Sequence, residues 1–145
     1  MKYTVDVNIN LPRERVIELF DSVDNMYKWQ PELVSFEHIS GEAGQEGAKS
    51  KMLYKMGKRE VEMIETITSR NLPDEFSGTY DAKGVHNIIE NRFIVVNPET
   101  TQWVVTSEFQ FKGMMKLMGT LMPRAFRKQT CKFMDRFKAF AESQK

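Results

Sequence analysis

Cysteine and histidine are nearly absent from this sequence. The 145 residues contain one cysteine, Cys131, and two histidines, His38 and His86. A lone cysteine excludes an intrachain disulfide, and within a helical stretch Cys131 is expected to be buried and inert. No His or Cys has a companion at metal-ligand spacing, so no metal site is expected, and both histidines read as ordinary surface or core residues. Long apolar runs are also missing. Nothing approaches the roughly 18 consecutive apolar residues of a membrane span. Residues Met1-Lys2-Tyr3-Thr4-Val5-Asp6 form no apolar signal core, so the expectation is a cytoplasmic protein. Gly41, Gly44 and Gly47 lack the spacing and strand-to-helix context of a phosphate loop, and no cofactor is expected. No nucleophile–base–orienter pattern can be assembled.

Acidic residues are scarce in one region. Residues 112–145 carry nine Lys/Arg and two Asp/Glu, although the whole chain is close to neutral at +1. A basic tail raises nucleic acid or anionic lipid as partners. The plainer reading is the solvated face of an amphipathic helix docked on an acidic sheet. No nucleic-acid-binding motif is present, and no nucleic-acid partner is expected. Length and composition are those of a single globular domain over 1–145.

Alternation and punctuation give the elements. Tyr3, Val5, Val7 and Ile9 share one face of a first strand. Asn10 and Pro12 predict the start of a helix with the stripe Val16, Leu19, Phe20. Asp24 is a candidate cap for a second short helix ending before Pro31. From Leu33 the chain reads as successive strands: 33–40, 48–56, 60–69, a segment around Phe76-Gly78-Tyr80, 85–97 and 101–111. Then comes a methionine-rich segment, Gly113 to Met122, expected to be helical but broken by Gly119 and Pro123. Beyond Pro123, residues Phe126, Thr130, Phe133, Met134, Phe137, Phe140 and Ala141 fall on one helix face. One strand, two short helices, six antiparallel strands and a long terminal helix make an α+β domain. The terminal helix is the only element long enough to cover the apolar face of the sheet.

This order of elements resembles the START-like (SRPBCC) superfamily, in its polyketide cyclase/dehydrase and lipid transport branch. The resemblance spans essentially the whole chain. Its marks are Pro12 after the first strand, Trp29-Gln30-Pro31 leading into Leu33-Val34-Ser35-Phe36-Glu37, the turn from Gly41 to Gly47, and the terminal helix after an aromatic strand. It implies a helix-grip fold: a curved antiparallel sheet of about seven strands around the C-terminal helix, with an apolar cavity between them. Members of that superfamily bind lipids, polyketides, sterols or quinones; some are enzymes and some are co-chaperones.

The candidate site follows from the facing surfaces. Met52, Tyr54, Met56, Met63, Trp103, Phe109, Met118, Met122, Phe126 and Met134 offer a soft apolar lining suited to a small apolar or amphipathic ligand. Tyr80, Asn91 and Ser107 are candidate hydrogen-bonding groups. Glu65 shares a face with Val61, Met63 and Ile67. On a concave face its carboxyl would resist ionisation and act as an acid or a ligand contact. The favoured alternative is a bulge or strand end that returns Glu65 to solvent. Three functions stay open: a binding or transport protein, a cyclase/dehydratase-type enzyme using Glu65, and an interaction module or co-chaperone. The segment before Pro123 reads as a fixed cap, a movable lid or a membrane contact.

Overall fold

Strict alternation in the first strand buries Val5 and Ile9 and leaves Lys2, Thr4 and Asp6 outside. The computed structural model, which describes residues 1–144, pairs this strand, β1 (Lys2–Ile9), with the last one rather than with its neighbour in sequence. Two helices follow, α1 (Arg13–Phe20) and α2 (Val23–Trp29). Then come β2 (Leu33–Ser40), β3 (Lys49–Met56), β4 (Arg59–Asn71), β5 (Glu75–Ala82), β6 (Val85–Asn97) and β7 (Thr100–Phe111). The chain closes with α3 (Met115–Leu121) and α4 (Pro123–Ser143). The seven strands form one antiparallel sheet in the order β1-β7-β6-β5-β4-β3-β2. This is the expected helix-grip architecture. Lys145, the last residue of the basic tail, lies outside the described residues.

The caps differ from the sequence expectation in two places. Asn10 does not cap α1; its backbone N–H donates to Glu142 Oε2 at the far end of α4 (2.8 Å), and Pro12 occupies the N-cap position. Ser22, not Asp24, caps α2 by accepting from the Asn25 N–H at 3.1 Å. The Ser22 side chain thus serves α2, while α1 begins without a side-chain cap.

The core sits at one end of the sheet. Val16, Leu19, Trp29, Phe93, Trp103, Met134, Phe137 and Ala141 are all buried there. Phe20 packs edge-on against Phe93, Trp103 and Phe137 at 5.1–5.8 Å between centroids, an arrangement that ring quadrupoles favour. Trp29 fits between Phe133 (4.5 Å) and Phe137 (5.0 Å) of α4. These rings anchor only the C-terminal half of α4. Toward its N-terminus, Phe126 and Thr130 are tied to β1 by Tyr3, whose hydroxyl lies 2.6 Å from Thr130 Oγ1 and 3.1 Å from the Phe126 carbonyl.

Candidate ligand site

Strand register builds the other end of the sheet from different chemistry. Ser50, Glu65, Tyr80, Asn87 and Phe109 are successive cross-strand partners, a single row running over β3, β4, β5, β6 and β7. The adjoining row, nearer the core, contains Ile67, Gly78, Ile89 and Ser107. On the opposite side lie the pairs Met52–Met63 and Val85–Phe111. Gly78 adds no side chain to the concave surface beside Tyr80. A polar stripe therefore crosses a concave face otherwise made of methionine, isoleucine and phenylalanine.

Glu65 belongs to that stripe. Its residue is 8 % exposed, and Tyr80 donates its phenolic hydrogen to Oε2 at 2.9 Å. The bulge that would have returned Glu65 to solvent falls later in β4, between Ile67 and Ser69. Alternation thus remains in phase at Glu65 and is lost only beyond it. Burial pushes the Glu65 carboxyl above the usual range, and the hydrogen bond from Tyr80 opposes this only in part. Burial, followed by the charge of Glu65, also pushes the Tyr80 and Tyr54 hydroxyls up, so both stay protonated. Tyr54 donates to Gln30 Oε1 at 2.6 Å. Gln30 is itself 3 % exposed, so the Trp29-Gln30-Pro31 element ties α2 to the site wall as well as to the core.

Asn87 completes the row. Its Nδ2 donates to Ser107 Oγ (2.9 Å) and to the Glu108 carbonyl (3.0 Å), holding β6 against β7. Sequence reading passed over Asn87 and Gln30. The signal for Asn87 was its parity with Asn91 along β6; nothing local marks Gln30. Neither histidine joins the site. His38 is exposed, and His86 sits against Asp81. Among the described residues no cluster of His, Cys, Asp and Glu could hold a metal ion.

The structure separates the expected lining residues into three groups. Met52, Tyr54, Met63, Tyr80 and Phe109 lie on the concave face around Glu65, and all but Met52 keep partial exposure. Phe126 joins them from α4, packed on Phe109 (4.9 Å) and Phe111 (5.4 Å), and Met118 is half-buried on α3. Trp103, Met134 and Asn91 are placed in the packed end instead. Trp103 is 1 % exposed and donates its indole N–H to Asn91 Oδ1, and Asn91 also donates to the Phe76 carbonyl. Met56, at the tip of the β3–β4 hairpin, and Met122, between α3 and α4, point outward, 44 % and 46 % exposed. Cys131, expected to be buried, is only partly so and flanks a shallow groove of about 480 Å³ along α4 with Lys128, Lys132 and Arg136.

The last member of the row borders an opening beside α3. A cleft of about 320 Å³ is lined by Met1, Phe109, Phe111, Lys116, Gly119 and Thr120. Phe109 is thus both the end of the polar row and a wall of the cleft. Gly119 does not break α3, as its propensity suggests, but lies within it. A Cβ there would sit 2.4 Å from the Phe111 ring, so only glycine lets the helix come this close. Gly84, in the β5–β6 turn at φ +77°, similarly receives Met115.

The comparisons with known proteins agree with this geometry. No curated protein sequence matches the chain. Among solved structures, a START superfamily protein from Mycobacterium smegmatis superposes with a TM-score of 0.84 at 8 % identity, over 99 % of both chains. The ZhuI aromatase/cyclase from Streptomyces sp. R1128 gives 0.80 at 14 % identity, over 98 % of this chain and 93 % of that one. Norcoclaurine synthase from Thalictrum flavum, solved with dopamine and hydroxybenzaldehyde, gives 0.76 at 10 % identity, over 100 % and 88 %. At such identities these likenesses concern the fold alone. The model of the polyketide cyclase/dehydrase and lipid transport family matches residues 1–142, and the chain belongs to that family.

Proposed function

We propose that this protein binds or carries a small amphipathic molecule, with its apolar body on the concave face and its polar end on Glu65 and Tyr80. One observation carries the reading: a buried carboxyl, hydrogen-bonded by the Tyr80 phenol at 2.9 Å, set on a face with Met52, Met63 and Tyr54. Such a set offers phenol donors and acceptors and a carboxyl whose burial opposes charge. It suits a hydroxyl, a carbonyl or a protonated acid better than an ion, whose desolvation it would not repay.

Native mass spectrometry of the purified protein, with titration by an apolar fluorescent probe, tests this. The expected result is saturable binding of one probe per chain, weakened by Phe109→Asp. A folded protein that binds neither probe nor a copurifying molecule refutes the reading. A catalytic version rests on the same buried carboxyl, whose burial favours holding a proton that it could transfer to a bound carbonyl. There Glu65→Gln would abolish turnover while sparing binding of the same compound. Loss of binding without any substrate turnover in the parent protein would leave the carrier role alone.

A further inference from the structure

The most exposed apolar side chains of the molecule belong to one segment. Met114 is 91 % exposed, Leu121 69 % and Leu117 62 %, whereas the next most exposed elsewhere, Val34 and Val95, are 53 %. Spacings of three and four residues put Met114, Leu117 and Leu121 on one side of α3. The other side is also apolar: Met115 rests on Gly84, and Gly119 lies against the Phe111 ring. The helix therefore has an apolar face for the protein and a second apolar face for something else.

Charge identifies that something. Between Glu108 and Asp135 there is no acidic residue, but six cations: Lys112, Lys116, Arg124, Arg127, Lys128 and Lys132. All six are exposed, and none is in an ion pair among the described residues. Lys83, at the turn beneath Met115, is exposed too; the acidic Asp81 of that hairpin is engaged by His86. An aliphatic knob in a segment of exposed cations, of which Lys132 also feels the Glu32 carboxylate, matches an anionic bilayer surface, where the side chains enter the acyl boundary and the cations meet phosphate headgroups. A nucleic acid would leave the leucines in water and find no exposed aromatic to stack on. A second copy meeting this face about a two-fold axis would oppose like charges.

We infer that α3 and the start of α4 form a docking surface for anionic lipid bilayers. The cleft lined by Lys116, Gly119 and Thr120 then opens beside the docked face. Loading of a ligand directly from the membrane rests on the proposed function; the docking surface does not.

Co-sedimentation with phosphatidylcholine vesicles, with and without phosphatidylglycerol, tests the inference. Binding is expected only with phosphatidylglycerol, and it should fall several-fold as salt rises. Leu117→Glu with Leu121→Glu should weaken it at least about tenfold, and Lys116→Glu with Arg124→Glu should remove the salt-sensitive part. Thermal unfolding should be unchanged, because these side chains are exposed. No binding to the anionic vesicles overturns the inference, as does binding that both double variants retain. Dimerisation in lipid-free solution that the leucine variant abolishes, together with absent vesicle binding, assigns the face to a second copy instead. Binding of anilinonaphthalene sulfonate in solution separates the two proposals. Vesicle binding without probe binding defeats the ligand reading alone; probe binding without vesicle binding defeats the docking surface alone.

Discussion

One sheet serves two different ends. Along β7, Trp103 is sealed among Phe20, Trp29, Phe93 and Phe137, while Phe109 and Phe111, on the same face, meet Phe126 of α4 and border a cleft. Along β6, Phe93 is core and Asn87 belongs to a polar row. The strands do not change in kind between the two ends. What changes is the cover: α1, α2 and the C-terminal half of α4 at one end, α3 and the N-terminal half of α4 at the other. A surface becomes core when helices bring rings to fill it, and a site when they bring methionines and leave space.

The contrast is most directly broken by truncation at the packed end. Phe137→Ala should cost about 3–5 kcal/mol in chemical denaturation, because a fully buried ring with several aromatic neighbours leaves a cavity. Phe109→Ala at the open end should cost less than about half of that and should affect probe binding instead. Equal costs would show that the open end is a core as well. Gly119→Val should come next, at roughly 1–3 kcal/mol, since its side chain must displace the Phe111 ring or lift α3. Limited proteolysis should then cut between residues 113 and 123 much faster than in the parent, with the packed end still protected.

Glu65 sharpens the comparison through pH. Its folded carboxyl is raised above its ordinary value of 4.5, so the folded state holds a proton that the unfolded chain releases. Its contribution is therefore most favourable below that value and is lost as pH rises through the folded pKa. Glu65→Gln lacks this loss. Its stability advantage over the parent should grow with pH, by about 1.4 kcal/mol for each unit of upward shift. Denaturation at acidic and mildly alkaline pH measures it, and a pH-independent difference would place the carboxyl in solvent.

The smallest effect belongs to Glu32, which accepts both hydrogen bonds from Arg136 of α4 at 2.5 and 2.8 Å. Partial burial pushes this carboxyl up, but the Arg136 bond and charge outweigh it and hold the group below its usual range. Glu32→Gln should cost up to about 1 kcal/mol at neutral pH. The difference should disappear as pH falls through the titration of Glu32 below 4.5, the opposite direction to Glu65.

The fold was legible because it rests on period and punctuation. The parity of Tyr3, Val5 and Ile9, the stripe from Phe126 to Ala141 and the turns at Gly57, Asn71 and Gly84 are all local signals. The site was legible only in part. A period of two puts Trp103 and Phe109 on one face but cannot tell which end the helices will fill. It places Glu65 with Met63 yet is silent on where the bulge in β4 falls. Gly119 reads as a helix breaker until Phe111 stands against it. Asn10 reads as a cap until Glu142, more than a hundred residues later, takes its N–H. In each case the packing of another element decided between two locally sound alternatives.

The pairing of β1 with β7 also dictates an order of events during synthesis. Strands β2 to β7 can join neighbour to neighbour as they leave the ribosome, since each partner has just been made. The first strand cannot, because Tyr3 pairs with Ser107 and Val5 with Val105. Its apolar residues, and the helices α1 and α2 behind it, must wait until nearly the whole meander has emerged. Late closure of this kind slows folding and prolongs exposure of an unpaired edge. A nascent chain stalled before β7 would therefore present β1 to chaperones rather than to its sheet.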